Sequence, residues 1–160
     1  KECIKHKIDY AYDLGQQVTN ITVEQMKLGV TNAKILFVND YEFGAIVGRT
    51  GFTETKLNKM VPLIVTTLGS KGTRITGSNN SKPIEVASVK DVNVIDPTGA
   101  GDAYRAGFLY GYQKGLSLQV CAQLGSTVAT YTIEKHGTQT HTFTLDDIRE
   151  KLYINYGAKI

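Results

Sequence analysis

Apolar residues in the first half of the chain fall into short runs set between polar, glycine-punctuated segments. Lys34-Ile35-Leu36-Phe37-Val38 and Leu63-Ile64-Val65-Thr66-Thr67-Leu68 are compact and rich in β-branched residues, and each reads as a buried strand. Lys7 to Tyr12 reads as a shorter strand ending at a turn on Gly15. Helical patterns fill the intervals. Thr22 opens a helix running to about Thr31, with Gln25 placed as its capping-box partner. Asp40 to Val47 is helical and stops near Gly48 and Gly51, and Thr53 to Met60 forms another short helix. Strand and helix alternating at this spacing predict a parallel sheet covered by helices.

The middle of the chain changes character. Gly69-Ser70-Lys71-Gly72 is a turn, Thr73 to Thr76 a strand, and Gly77 to Lys82 a polar turn cluster. Ile84 to Val89 and Val92 to Ile95 read as further strands, so an antiparallel edge is expected on the parallel sheet. Beyond Gly99 the pattern is helical. Ala103, Ala106, Gly107, Tyr110 and Gly111 repeat at three and four, and their small size predicts a helix lying close to the sheet. Gly115 ends it and Ser117 caps the next, on which Leu118, Cys121, Leu124, Val128 and Thr132 trace one face. Thr144 caps a last helix, with Asp147 three residues on and Leu145, Ile148 and Leu152 facing inward.

Composition narrows the function classes. A chain of 160 residues can bury a real core. Its 18 basic and 15 acidic residues are interspersed, which leaves no nucleic-acid footprint. No apolar run approaches the length that spans a bilayer, and KECIKHKIDY lacks the apolar core of a signal peptide. A cytoplasmic protein without nucleic-acid or membrane partners is therefore expected. Cys3 and Cys121 suggest neither a disulfide framework nor a metal site. Asn20-Ile21-Thr22 and Asn79-Asn80-Ser81 match the glycosylation triplet by chance on this reading.

Candidate chemistry concentrates in Asp96-Pro97-Thr98-Gly99-Ala100-Gly101-Asp102, which runs straight into a helical pattern. Two glycines flank Ala100, so backbone N–H groups are free to converge at a helix N-terminus, with one acid in reach. Such a site holds an anion that is gaining charge, beside a base, and this suits phosphoryl transfer. Asn39-Asp40-Tyr41-Glu42 follows a strand, and a capping box would explain it, with Asn39 as cap and Glu42 reaching back. Thr67-Leu68-Gly69-Ser70-Lys71-Gly72 also follows a strand and is a plain turn by composition. It is not a Walker A loop, because Lys71 precedes Gly72 and the glycine spacing is wrong.

The longer string Asp-Pro-Thr-Gly-Ala-Gly-Asp-Ala-Tyr-Arg-Ala-Gly, residues 96–107, resembles the signature of the ribokinase-like kinases, the carbohydrate kinases of PfkB type. Adenosine-kinase-like bacterial members are the most similar. Asn39 and Glu42 match the family's Asn-x-x-Glu motif, and Asp13-Leu14-Gly15-Gln16 resembles its Asp-Pro-Gly-Gln, with Leu14 departing from the pattern.

The resemblance implies an α/β fold, a three-layer sandwich with a mostly parallel sheet flanked by helices. It implies that residues 1–160 are the C-terminal, nucleotide-binding and catalytic part of one such domain. The N-terminal part, with the lid and most of the acceptor pocket, would precede Lys1. The implied reaction is ATP-dependent transfer to a primary hydroxyl of a nucleoside or sugar, adenosine foremost. A ribokinase- or fructokinase-like enzyme and a non-catalytic nucleotide-binding fragment are the alternatives, and this stretch alone is expected to be inactive. In the family pattern the Gly99, Ala100 and Gly101 amides hold the phosphoryl oxygens and Asp102 is the base. Asn39 and Glu42 organise Mg2+ through water, and Asp96 ligates a monovalent cation such as K+. Thr67, Gly69 and Gly72 touch the nucleotide phosphates, and Gly137, in His136-Gly137-Thr138, lies against the adenine. A small-molecule substrate is the expected partner. The sheet edge awaiting the missing strands implies either that segment or a homodimer.

Overall fold

The computed structural model describes residues 1–160, which form two compact units. The first comprises residues 1–69 and 73–84, the second residues 70–72 and 85–160.

The first unit opens with a short helix, α1 (Glu2–Lys5), where a strand from Lys7 is expected. Its side chains pair along one turn, with Glu2 reaching Lys5 and His6. Lys7 then takes a left-handed conformation (φ 56°), so the strand β1 is confined to Ala11–Asp13. Leu14 is buried and leads a 3-10 helix over Gly15–Thr19. The elements α2 (Val23–Thr31), β2 (Ile35–Asn39), α3 (Asp40–Thr50), α4 (Glu54–Met60) and β3 (Leu63–Thr67) follow as the periodicity predicts. Thr22 and Gln25 form the expected capping box, and α3 runs past Gly48 to stop on left-handed Gly51.

β1, β2 and β3 pair in parallel, and β4 (Thr73–Thr76) adds to β3 in antiparallel fashion. This is the predicted antiparallel edge. Leu36, Val38 and Ile64 pack with Met26 and Val30 of α2, Ile46 of α3 and Leu57 of α4. Ile35, Phe37, Leu63 and Val65, which alternate with them, are buried as well, as expected for strands covered on both faces. Gly77 closes the turn after β4. Its φ is +119°, and a Cβ there would lie 2.6 Å from the Pro62 carbonyl.

β5 (Ile84–Val86) is shorter than the expected strand to Val89. Val92 to Ile95 is not a strand. The N–H groups of Ile95 and Asp96 both donate to the Ile133 carbonyl, at 2.8 and 3.1 Å, so this stretch is tied to a helix end rather than to a ladder.

The second unit is built on α5 (Ala100–Gln113), α6 (Leu118–Ile133) and α7 (Leu145–Tyr156). The small residues of α5 bring it close against α6. A Cβ on Gly107 would lie 2.9 Å from the Leu124 carbonyl and 3.0 Å from Gly125 Cα. A Cβ on Gly125 would lie 2.8 Å from the Tyr104 carbonyl. Cys121 faces Gly111 in the same seam, and burial pushes its thiol up to about 11. Burial on α6 extends beyond the predicted stripe to Ala122, Gln123, Thr127 and Thr130. Thr144 caps α7 in a capping box with Asp147. Ile148 and Leu152 pack on Leu124, whereas Leu145, at the first helical position, is 44% exposed instead of inward.

Replacing Gly107 with alanine must push one helix backbone away from the other. The expected loss is about 1–3 kcal/mol, the usual range for overpacking. Denaturant unfolding of Gly107→Ala measures it. An unchanged midpoint would mean that the seam is looser than the backbone separation implies.

Candidate active site

The second unit carries the glycine turn. Asp96 Oδ1 accepts the Thr98 N–H at 2.9 Å, an Asx turn that bends the chain before the helix. Its Oδ2 accepts the Gly137 N–H at 3.0 Å. One carboxylate thus fastens the entry of the turn to the loop beyond α6. These donors favour the charged form. The Gly137 N–H first, then the Thr98 N–H and hydroxyl, hold the Asp96 carboxyl down to about 2.

Gly99 adopts a left-handed conformation (φ 84°) as the N-cap of α5. Thr138 Cγ2 would lie 3.0 Å and Thr132 Cγ2 3.4 Å from a Cβ on Gly99, so those two threonines wall the turn. The Ala100 N–H donates to the Pro97 carbonyl at 3.2 Å, and the first helical bond runs from Ala103 to Gly99. The amides of Gly99, Gly101 and Asp102 have no acceptor within the protein. Of the three amides assigned from the sequence, Ala100's is engaged inside the turn, and the Asp102 amide joins the open set. At a helix N-terminus such N–H groups are ready to hold an anion.

Asp102 stands in the first turn of α5 with its side chain 82% exposed. Its Oδ1 accepts Arg105 Nη2 at 2.5 Å. The carboxylate and the open amides share one helix start, so an acceptor and a row of donors lie side by side.

The first unit carries the other motif. The Asn39–Glu42 capping box forms: Glu42 N donates to Asn39 Oδ1 at 2.8 Å, and Asn39 N donates to Glu42 Oε2 at 2.9 Å. Glu42 is buried, 9% exposed. Asn39 ends β2 and is the register partner of Thr67, which ends β3. Thr67 Oγ1 donates to the Val38 carbonyl at 3.4 Å, so these polar groups meet at the C-terminal ends of two parallel strands. In open α/β sheets that is the end where ligands bind. Gly69 (φ 58°) has open space where a side chain would stand, which leaves its backbone approachable.

Gly72 is different. A Cβ there would lie 2.0 Å from the Val86 carbonyl, so close packing of the chain on itself requires this glycine. Gly137 (φ 81°) directs its amide to Asp96, and His136 is exposed, its carbonyl accepting the Thr140 hydroxyl. No three side chains of His, Cys, Asp or Glu gather into a metal cluster.

Sequence reasoning missed Thr132 and Arg105. Thr132 reads only as part of a helix stripe. The one signal for Arg105 is its place three residues after Asp102, where a helix brings side chains together.

Residues 2–144 match the pfkB family carbohydrate kinase model, and the chain belongs to that family. It is 36% identical to a nucleoside kinase of Methanocaldococcus jannaschii over 142 residues, 89% of this chain and 46% of that protein. A nucleoside kinase of Methanothermobacter thermautotrophicus is 33% identical over 132 residues, 82% of this chain and 41% of that protein. The structure of Burkholderia thailandensis nucleoside kinase in complex with inosine superposes with a TM-score of 0.94 at 27% identity, over 99% of this chain and 53% of that one. The ribokinase-like α/β fold inferred from the motif is thereby shown. The chain spans about half the length of these relatives.

The Asp96 tie has a defined pH range. Its folded value lies below the ordinary 3.8, so its stabilisation is complete above that pH and is lost as pH falls through about 2. Asp96→Asn should therefore melt below the wild type at neutral pH, with the gap closing between pH 3.8 and about 2. A gap that persists at the acid end would show that the carboxylate charge is not what holds Gly137.

Proposed function

We propose that this chain carries the phosphoryl-transfer centre of an ATP-dependent kinase whose acceptor is the primary hydroxyl of a nucleoside, adenosine being the candidate within that class. One observation carries the reading: the open amides of Gly99, Gly101 and Asp102 stand at the start of a 14-residue helix beside the exposed Asp102 carboxylate. The names of the relatives, nucleoside kinases from two archaea and a bacterium, support the acceptor class.

In the reaction the acceptor oxygen attacks the γ-phosphorus. The new O–P bond forms as the bond to the bridging β,γ-oxygen breaks, and ADP leaves with that electron pair. Asp102 takes the hydroxyl proton. The amides hold the equatorial oxygens, where positioning and charge stabilisation do most of the catalytic work. The helix start supplies both without rearrangement, because its N–H groups lack other acceptors.

Asn39 and Glu42 are assigned to Mg2+. A single buried carboxylate with no acidic neighbours gathered into a cluster suits an ion that keeps most of its water. When bound, Mg2+ neutralises charge on the nucleotide phosphates. Asp96 is assigned to a monovalent cation such as K+. Its ionised form is strongly favoured, and a carboxylate oxygen that accepts one N–H keeps a further lone pair. Thr67 and Gly69 are assigned to the nucleotide phosphates.

Asp102→Asn tests the reading in the full natural polypeptide. Loss of a general base lowers kcat on the order of 10²–10⁴-fold. The KM for ATP should change little. Assays with adenosine, inosine, cytidine, ribose and fructose fix the acceptor in the same experiment. Near-normal turnover by Asp102→Asn removes Asp102 from the mechanism, and a preference for free sugars overturns the nucleoside assignment.

A further inference from the structure

Asp102 is highly exposed, and an exposed carboxylate turns freely about its side-chain bonds unless something holds it. In active sites where one group activates another, the base is itself oriented by a third. Arg105 stands where such a third group belongs. It lies one turn along α5, and its side chain runs back toward the helix start, the direction in which helical side chains lean. The guanidinium passes over Gly101. Nη1 would be 3.1 Å from a Cβ at that position, so the missing side chain of the turn's second glycine makes room for it. Nη2 meets Asp102 Oδ1 at 2.5 Å, while Oδ2 has no partner within the protein. Arg105 is much the less exposed of the two, 30% against 82%.

The α5 dipole and surface ion pairing are weak reasons for a cation at this place. A cation near the first turn stands at the positive end of the helix dipole, where it is disfavoured. An exposed i,i+3 pair adds only a few tenths of a kcal/mol.

We propose that Arg105 is a positioning residue for the phosphoryl-transfer reaction: it fixes one carboxylate oxygen of Asp102 and so presents the other to the acceptor hydroxyl. The inference rests on the reading of Asp102 as the base. It assigns Gly101 a second duty, since a side chain there would crowd the guanidinium.

The test compares Arg105→Met, Arg105→Lys, Asp102→Asn and the double variant Asp102→Asn/Arg105→Met in the full natural polypeptide. Melting temperature, KM for ATP and kcat are measured for each. Arg105→Met should lower kcat about tenfold or more, with KM for ATP and melting temperature close to wild type. Arg105→Lys, which keeps one charged donor, should recover part of the loss. The double variant should be no slower than Asp102→Asn alone, because a residue acting through Asp102 has nothing left to orient.

A double variant clearly slower than Asp102→Asn would overturn the proposal, since Arg105 would then act independently of the base. Unchanged kcat in Arg105→Met, or a loss of kcat matched by a fall in melting temperature without rescue by lysine, overturns it too. If Asp102→Asn itself turns over normally, the base assignment has failed first, and that result is separate from the behaviour of Arg105.

Discussion

The second unit depends on two helix backbones meeting without side chains between them. Gly107 of α5 and Gly125 of α6 face one another so closely that a methyl group on either would strike main-chain atoms. That contact fixes the line of α5 and therefore where its N-terminal amides point. Tyr104, Phe108 and Tyr112 stack along the same helix at successive four-residue steps, with centroids 6.2 and 6.5 Å apart, and stiffen it further. A cradle made of backbone N–H groups has no rotamers of its own. Its precision is that of the helix carrying it.

The other anchor is electrostatic. Both Asp96 oxygens receive main-chain N–H groups, one from the turn it begins and one from Gly137, forty-one residues on. The left-handed step at Gly99 would be a soft joint in an unrestrained loop. Here it is fastened on the approach side by Asp96 and walled by Thr132 and Thr138. Packing orients the helix, and a charged tie sets the turn at its head.

The parts legible in the sequence were those governed by local rules. β2, β3 and β4 follow from runs of β-branched residues, and the starts of α2, α3, α6 and α7 from capping side chains at the expected spacing. The antiparallel edge followed from turn chemistry. Misreadings arose where tertiary contacts outweighed local pattern. Val92 to Ile95 alternates like a strand but is claimed by the Ile133 carbonyl. The small residues of α5 announced a close approach to the sheet, and the approach they permit to α6 was not read. In the site, Asp102 and the glycines stood out because few other reasons put those residue types together. Arg105 did not, because an arginine on a helix surface is ordinary, and only coordinates show which way it leans. Gly72 belongs to the loop expected at the phosphates, and its packing against the Val86 carbonyl was invisible in one dimension.

The helix start at Asn39 and Glu42 has a consequence for how this protein can change. The cap needs an oxygen from residue 42 to accept the Asn39 N–H, and glutamine offers one as readily as glutamate. The cap by itself therefore makes no distinction between a charged and a neutral side chain at this position. Whatever separates glutamate from glutamine there comes from what else the buried group meets, not from the helix start.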